Sequence, residues 1–276
     1  MPDRARGHAD GDPDGYDRLE GVQRSAVRPS PVFFAILALT VVGGLLAAFS
    51  NAETTSDPML VAGVFILVVA GWALSLTLHE FGHAFVAFKG GDHSVAGKGY
   101  LNLDVRHYTD PVLSLVLPLI LLAIGGIPLP GGAVWINRWA LRSRAVSTWV
   151  SLAGPLSNLV FGALLTLAVT YIPMPIGLSI GLSYLALLQV FAFVLNILPV
   201  PGLDGFGAIE PYLSPQTREF AAKVRPWAPL ALFALLFAVP TVSAAFQDLS
   251  SFIYEAIGGS RYAAVLGQDT FMFWRH

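Results

Sequence analysis

The sequence predicts an all-α polytopic membrane protein of five to six transmembrane helices, with a small membrane-associated β or re-entrant element. Three observations carry that expectation. Of 276 residues, 55% are hydrophobic and only 12% charged, where a soluble domain carries about 25% charged residues. The mean hydropathy is +0.64. Several uncharged runs reach the roughly 20 apolar residues that a helix needs to cross a bilayer core. The formal charge of −2 sits almost entirely in loops and the N-terminal tail, so no polyanionic partner, nucleic acid included, is implied. There is no cysteine, which excludes disulfides and thiol catalysis.

Residues 1–30 are rich in Asp, Arg, Gly and Pro and nearly free of large apolar side chains. Such a stretch cannot bury enough surface to offset its ordering entropy, so it reads as a disordered tail. Its first apolar run begins late for a cleaved signal peptide. Residues 31–246 read as one membrane domain, and 247–276 as a C-terminal tail of no clear class. Within the domain, 32–49 is the first span. The second is 59–78, and its helical pattern continues to residue 88. The uncharged stretch 145–203 is split at Pro173-Met174-Pro175 into spans 147–172 and 176–198, since proline disrupts a helix interior. A last span covers 227–246.

Residues 111–137 are uncharged but interrupted by Pro118, Pro128 and Pro130 and by two glycine pairs. The end of this run, GGAVWIN, alternates like a strand. Non-helical backbone at membrane depth is tolerated only inside protein or along a wet cavity. This run is therefore a candidate re-entrant element beside a site. The polar segment 89–110 contains YLNLDV, which could form one arm of an interfacial hairpin.

The chemistry concentrates in His79-Glu80-Phe81-Gly82-His83, an H-E-x-x-H pattern at the end of the second span. Positions i and i+4 of a helix share a face. Both imidazoles can then reach one zinc ion, with Glu80 beside them to take a proton from water. Six histidines in 276 residues make a chance match rare. Ionisable residues at a transmembrane helix end are functional by default. A catalytic zinc site needs a third protein ligand and an open position. Asp204 is the favoured ligand: it ends an uncharged span, and the prolines and glycines around it let its carboxylate turn back. Its plainer role would be a turn aspartate before Gly205. Asn196 could donate to a developing oxyanion or could bind helices together, and its position alone leaves both readings open. His93 and His107 follow the motif and fit a loop role better than a ligand role.

At these residues the chain resembles the site-2 protease family of intramembrane metalloproteases. That family follows HExxH with N-x-x-P-x-x-x-x-D-G, matched here by Asn196, Pro199, Asp204 and Gly205. It also carries a small-residue signature between the two, matched by Gly154-Pro155-Leu156-Ser157-Asn158. The resemblance runs from about residue 74 to residue 212. It implies a zinc endopeptidase that cleaves transmembrane segments of membrane-protein substrates, with Glu80 as base, Asn196 supporting substrate or oxyanion, and Asn158 packing the core. Too few residues separate the second and third helices for an inserted PDZ module. Two other readings stay open at this stage. One is a membrane zincin using Glu210 or Glu219 as third ligand. The other is a zinc-binding scaffold or transporter without proteolysis.

The arginines at 4, 6, 18, 24 and 28, against none in 50–58, predict a cytoplasmic N-terminus in a plasma membrane. The second span then runs inward. Asp204 must reach the same depth as the histidines, so 111–127 is expected to enter and leave on one side.

Overall fold

A computed structural model describes residues 27–51, 57–108 and 134–275. Among the described residues, four helices are long and apolar enough to cross a membrane: α1 (Pro31–Phe49), α2 (Pro58–Gly90), α3 (Arg144–Tyr171) and α4 (Ile176–Asn196). Their starts are written in the sequence. Ser30 accepts from Phe33 N–H, Asp57 from Leu60 N–H and Ser143 from Val146 N–H. Such side chains satisfy amide donors that the first helical turn leaves free. Pro31 and Pro58 follow two of these caps, at the position where a missing N–H costs nothing. Gly91 ends α2 at φ 122°, a conformation that favours glycine.

The smaller α-helices after α4 are α5 (Asp204–Ile209), α6 (Pro215–Val224), α7 (Ala228–Ala238), α8 (Pro240–Ala256) and α9 (Arg261–Phe271). The expected single span at 227–246 is broken between α7 and α8. Pro240 has no amide hydrogen, and the residue before a proline leaves the helical region; Val239 sits at φ −114°, ψ 100°. With 11 residues, α7 is too short to cross alone. It forms a fifth crossing only together with α6, from which it bends by 61°.

Helices α2 and α4 are the centre of the bundle, with 67% and 78% of their spanning windows buried, against 17% for α1 and 28% for α3. The outer pair therefore presents most of its apolar surface to lipid. Close crossings use small residues, as membrane helices do where no hydrophobic effect drives them together. A Cβ on Gly43 would enter the backbone of Leu67, and one on Gly63 the backbone of Ala47. These contacts make α1 and α2 antiparallel. Along α4, Gly177 meets Leu60, Gly181 meets Leu67 and Leu185 meets Gly71, so α2 and α4 run parallel. Between α2 and α3 the pairing is His79 with Asn158 and His83 with Val150, which is antiparallel.

The connection from α2 to α3 leaves and returns at one end of the bundle. Arg142 N–H donates to the Gly90 carbonyl at 3.0 Å, and Gly90 packs on Val146. Residues 111–127, expected to be re-entrant, lie outside the described residues, as do most of the tail at 1–30 and Gly131 to Ala133 of GGAVWIN. No strand forms among the described residues. YLNLDV is instead a turn followed by a 3-10 helix, Val105–His107, and residues 134–137 carry no regular structure. In the turn, Asp104 accepts bonds from the Arg106 backbone and guanidinium. The guanidinium bonds hold its carboxyl below the usual carboxylate range.

The segment read as a C-terminal tail is helical. In α9, Ala264, Gly267 and Phe271 are buried, and Gly267 lies against the Ile180 carbonyl and Tyr184 of α4. Tyr254 of α8 donates to the Ser183 carbonyl at 3.1 Å. The apolar positions of α8 and α9 follow helical spacing, but polar residues break the run that would mark a span.

Replacing Gly63 by leucine should lower stability in detergent by at least about 1–3 kcal/mol, because the added atoms have nowhere to go. Gly97→Ala should leave it unchanged, since that position faces open space. Thermal unfolding of the two variants checks this, and equal midpoints would contradict the close α1–α2 crossing.

Candidate metal centre

His79 and His83 lie on one face of α2 with their rings edge to face, centroids 4.8 Å apart. Both are buried. A short turn brings the third group. After α4 the chain passes Pro199-Val200-Pro201-Gly202, and Gly202 takes φ 103°. This left-handed residue turns the chain back, so that α5 begins on Asp204 directly below the histidines. Gly205 then sits against the Ile197 carbonyl, where a Cβ would not fit.

The three side chains form a small triangle, with both Asp204 oxygens turned toward the histidines. His79 Nε2 is 3.1 Å from His83 Nε2 and 3.2 Å from Asp204 Oδ2, and His83 Nε2 is 3.4 Å from Asp204 Oδ1. Ligands about 2.0–2.1 Å from a tetrahedral zinc stand roughly 3.3 Å apart. The separations match that spacing pair by pair, and two imidazoles with one carboxylate suit zinc. Among the described residues this is the one cluster of three histidine or acidic side chains close enough to hold a metal ion.

The outer nitrogens are also held. His79 Nδ1 faces Asn158 Oδ1 at 2.5 Å, and His83 Nδ1 faces the Val150 carbonyl at 2.6 Å. Both partners are acceptors, so both Nδ1 atoms carry the hydrogen and both Nε2 lone pairs point inward. A Cβ on Gly154 would strike both Nε2 atoms. Pro155 follows it inside α3, where it removes the backbone bond to the Ser151 carbonyl.

A cavity of about 400 Å³ opens on this triangle. Glu80, His79, His83, Asp204 and Asn196 all line it, so the favoured ligands, the base and Asn196 reach one space. The Asp204 side chain is 24% exposed against 8% and 9% for the histidines, so the open side lies toward α5. Glu80 is 2% exposed, receives the Val134 amide, and leaves Oε2 with no partner among the described residues. An orphaned carboxylate oxygen on a side chain that lines a cavity is suited to accept a hydrogen bond from a ligand there. The Asn196 amide donates one hydrogen to the Ala192 carbonyl at 3.0 Å, which leaves its second hydrogen for a ligand.

Other candidates go elsewhere. Glu210 is tied to Arg138 at 2.8 Å and to Arg225, and Glu219 pairs with Lys223 at 2.9 Å. His93 packs edge-on against Phe88, and His107 lies 3.7 Å from Asp104. Sequence reasoning missed Asn158 as the partner of His79 and Gly154 as the space the histidines occupy. The available signal was a glycine and an asparagine one helical turn apart within a span.

The comparisons agree with this chemistry. A Mycobacterium tuberculosis H37Rv protein named "Putative zinc metalloprotease Rip2" is 46% identical over 254 residues, 91% of this chain and 96% of its own length. Its Mycolicibacterium smegmatis namesake is 45% identical over the same span. YwhC of Bacillus subtilis, named in the same way, is 33% identical over 177 residues, 60% of this chain and 78% of its own. No family model and no solved structure matches the chain.

Protein purified with His79→Ala, His83→Ala or Asp204→Ala should lose bound zinc, and Gly154→Ala should lose it by displacing both rings. Glu80→Gln should keep about one zinc per chain. Metal analysis by mass spectrometry decides, and full occupancy in Asp204→Ala would remove that residue from the ligand set.

Proposed function

The chain belongs to the site-2 protease family of zinc metalloproteases, and from that premise we propose that it is an intramembrane endopeptidase, cutting peptide bonds in or near transmembrane segments of other membrane proteins. The observation that carries this reading is the depth of the donor triangle. His83 and His79 stand 7 and 11 residues before the end of α2, roughly 10–17 Å along the helix axis. A soluble zincin has no need to bury its site among lipid-facing helices.

Zinc held by His79, His83 and Asp204 would polarise the scissile carbonyl and lower the pKa of a bound water toward ~7. Glu80 takes the proton of the attacking water on its free Oε2 and delivers it to the leaving amine. Asn196, through its second amide hydrogen, hydrogen-bonds the substrate carbonyl as charge develops there. Asn158 and the Val150 carbonyl hold the rings still throughout.

A transmembrane helix shields its peptide bonds, so the substrate must be extended first. Val134–Ile136 line the cavity beside Glu80. Their other side is pinned: Lys98 Nζ donates to the Trp135 carbonyl at 3.0 Å, and Asp92 accepts from Asn137 N–H at 2.7 Å. We read this fixed segment as the edge to which an extended substrate adds through backbone hydrogen bonds.

The donor triangle lies toward the cytoplasmic face of the plasma membrane in this reading. Arg138, Arg142, Arg144, Arg218, Lys223 and Arg225 gather at the zinc end of the bundle, and Ser30, which starts α1, bonds the Asn102 carbonyl at that end. Exposed Trp135, Trp139, Trp149 and Trp227 lie at the same end, as side chains at a membrane–water boundary do.

In cells, Glu80→Gln should leave transmembrane substrates uncleaved, visible as accumulated full-length proteins by membrane proteomics. Ile136→Pro should slow cleavage at least several-fold without loss of zinc, since it removes a backbone donor. Normal cleavage by Ile136→Pro would dismiss the edge. For orientation, single cysteines at Ser143 and Thr217 should be shielded from an impermeant thiol reagent in intact cells, and one at Thr54 labelled. External labelling at Ser143 would invert the topology.

A further inference from the structure

A second polar cluster lies deeper in the bundle than the donor triangle, and no step above uses its Gln189 or Ser75. Gln189 on α4 is fully buried, and Ser75 on α2 is 2% exposed. The two are 114 residues apart, yet Ser75 Oγ donates to Gln189 Oε1 at 2.5 Å. The Asn158 amide from α3 completes the cluster, with Nδ2 donating to Ser75 Oγ at 3.1 Å and to Gln189 Oε1 at 2.9 Å. Gly162, one turn beyond Asn158, makes the room: a Cβ there would press on Gln189 Cβ at 3.0 Å.

We propose that Gln189 and Ser75 are positioning residues for the metal site, which orient the Asn158 amide and through it fix His79 with its Nε2 lone pair toward the metal. This rests on the zinc reading of the donor triangle. An asparagine amide is nearly symmetric in shape but opposite in chemistry at its two ends. With Oδ1 toward His79, it accepts the Nδ1 hydrogen and leaves Nε2 bare. Turned over, Nδ2 would donate to Nδ1, moving the ring hydrogen to Nε2, where it would point at the metal. Nothing in His79 or Asn158 alone forbids the second arrangement.

Gln189 and Ser75 forbid it. Gln189 Oε1 accepts twice, from Ser75 and from Asn158, so only the donor end of Asn158 can face them. If Asn158 turned over, its oxygen would meet the Gln189 oxygen, and Ser75 could serve it only by withdrawing its hydrogen from Gln189. The amide of Gln189 has its own signature. Its Nε2 is buried and has no partner among the described residues. Burying an amide in a span is unfavourable, and an apolar side chain would fill that volume at no such cost. The orientation kept is the one that satisfies Asn158 rather than Gln189 itself. The polarity sequence thus runs from Gln189 and Ser75 through Asn158 to His79, each hydrogen directed by the one before it.

The test is a double-mutant cycle on zinc affinity, read by chelator competition on the purified full chain. Gln189→Leu should weaken zinc binding about 10- to 100-fold. Gln189→Glu, which keeps an acceptor oxygen in place, should restore most of it. In an Asn158→Asp background both carboxylate oxygens accept, so no amide needs orienting. There Gln189→Leu should change zinc affinity by less than about threefold. An equal loss in both backgrounds would make Gln189 a packing residue and overturn the proposal, as would unchanged affinity in Gln189→Leu. Wild-type protein that takes up no zinc would overturn the metalloprotease reading as well, which separates the two failures.

Discussion

The meeting of two imidazoles from one helix with a carboxylate from far along the chain sets the topology of this protein. Spacing of i and i+4 on α2 delivers His79 and His83 together, but a third ligand cannot come from the same face. Asp204 supplies it from the end of α4, which must then run parallel to α2. Parallel neighbours need an odd number of crossings between them. The antiparallel α3 is that crossing, and it begins where α2 ends, beside Gly90 and Gly91. The connection between them therefore starts and finishes at the zinc end of the bundle. The turn through Gly202 and the short α5 are the remaining consequence, since the carboxylate has to double back under the rings.

The bilayer imposes the second condition. Apolar lipid offers no partner for a spare ring nitrogen or an amide, so each must be matched inside the bundle. His79 and His83 find theirs on α3, in Asn158 and the Val150 carbonyl. That requires α2 and α3 to approach closely, which Gly154 allows where the rings pass. At the metal site the open group is Glu80 Oε2, which has no partner among the described residues and belongs to a side chain that lines the cavity. Closed on every side but that one, the site meets the requirement for three protein ligands and a free position.

Much of this was legible in the residues. Uncharged runs and proline turns located α1 to α4 within a few residues, because the bilayer demands length and apolarity from each. HEFGH marked the site because its spacing matches a helical turn, and Asp204 stood out as an acidic group at the end of an uncharged span. The partners of the rings were not legible in the same way. Asn158 reads as interhelical polar packing until the crossing of α2 and α3 is known, and Gly154 reads as one small residue among several. Alternation in YLNLDV suggested a strand, but the Arg106 bonds to Asp104 close it into a turn. Helices α8 and α9 escaped because their mixed polarity suits packing against α4 rather than lipid. Pro240 was visible, and its break in the last apolar run follows from proline chemistry alone.

The central claim is that one zinc sits on two imidazoles and one carboxylate, with a position left open. X-ray absorption at the zinc edge of the purified protein tests it most directly. The account predicts about four light-atom ligands at roughly 2.0–2.1 Å, with the outer-shell scattering of two imidazole rings. A shell of six oxygens, or scattering from no imidazole or only one, would contradict it.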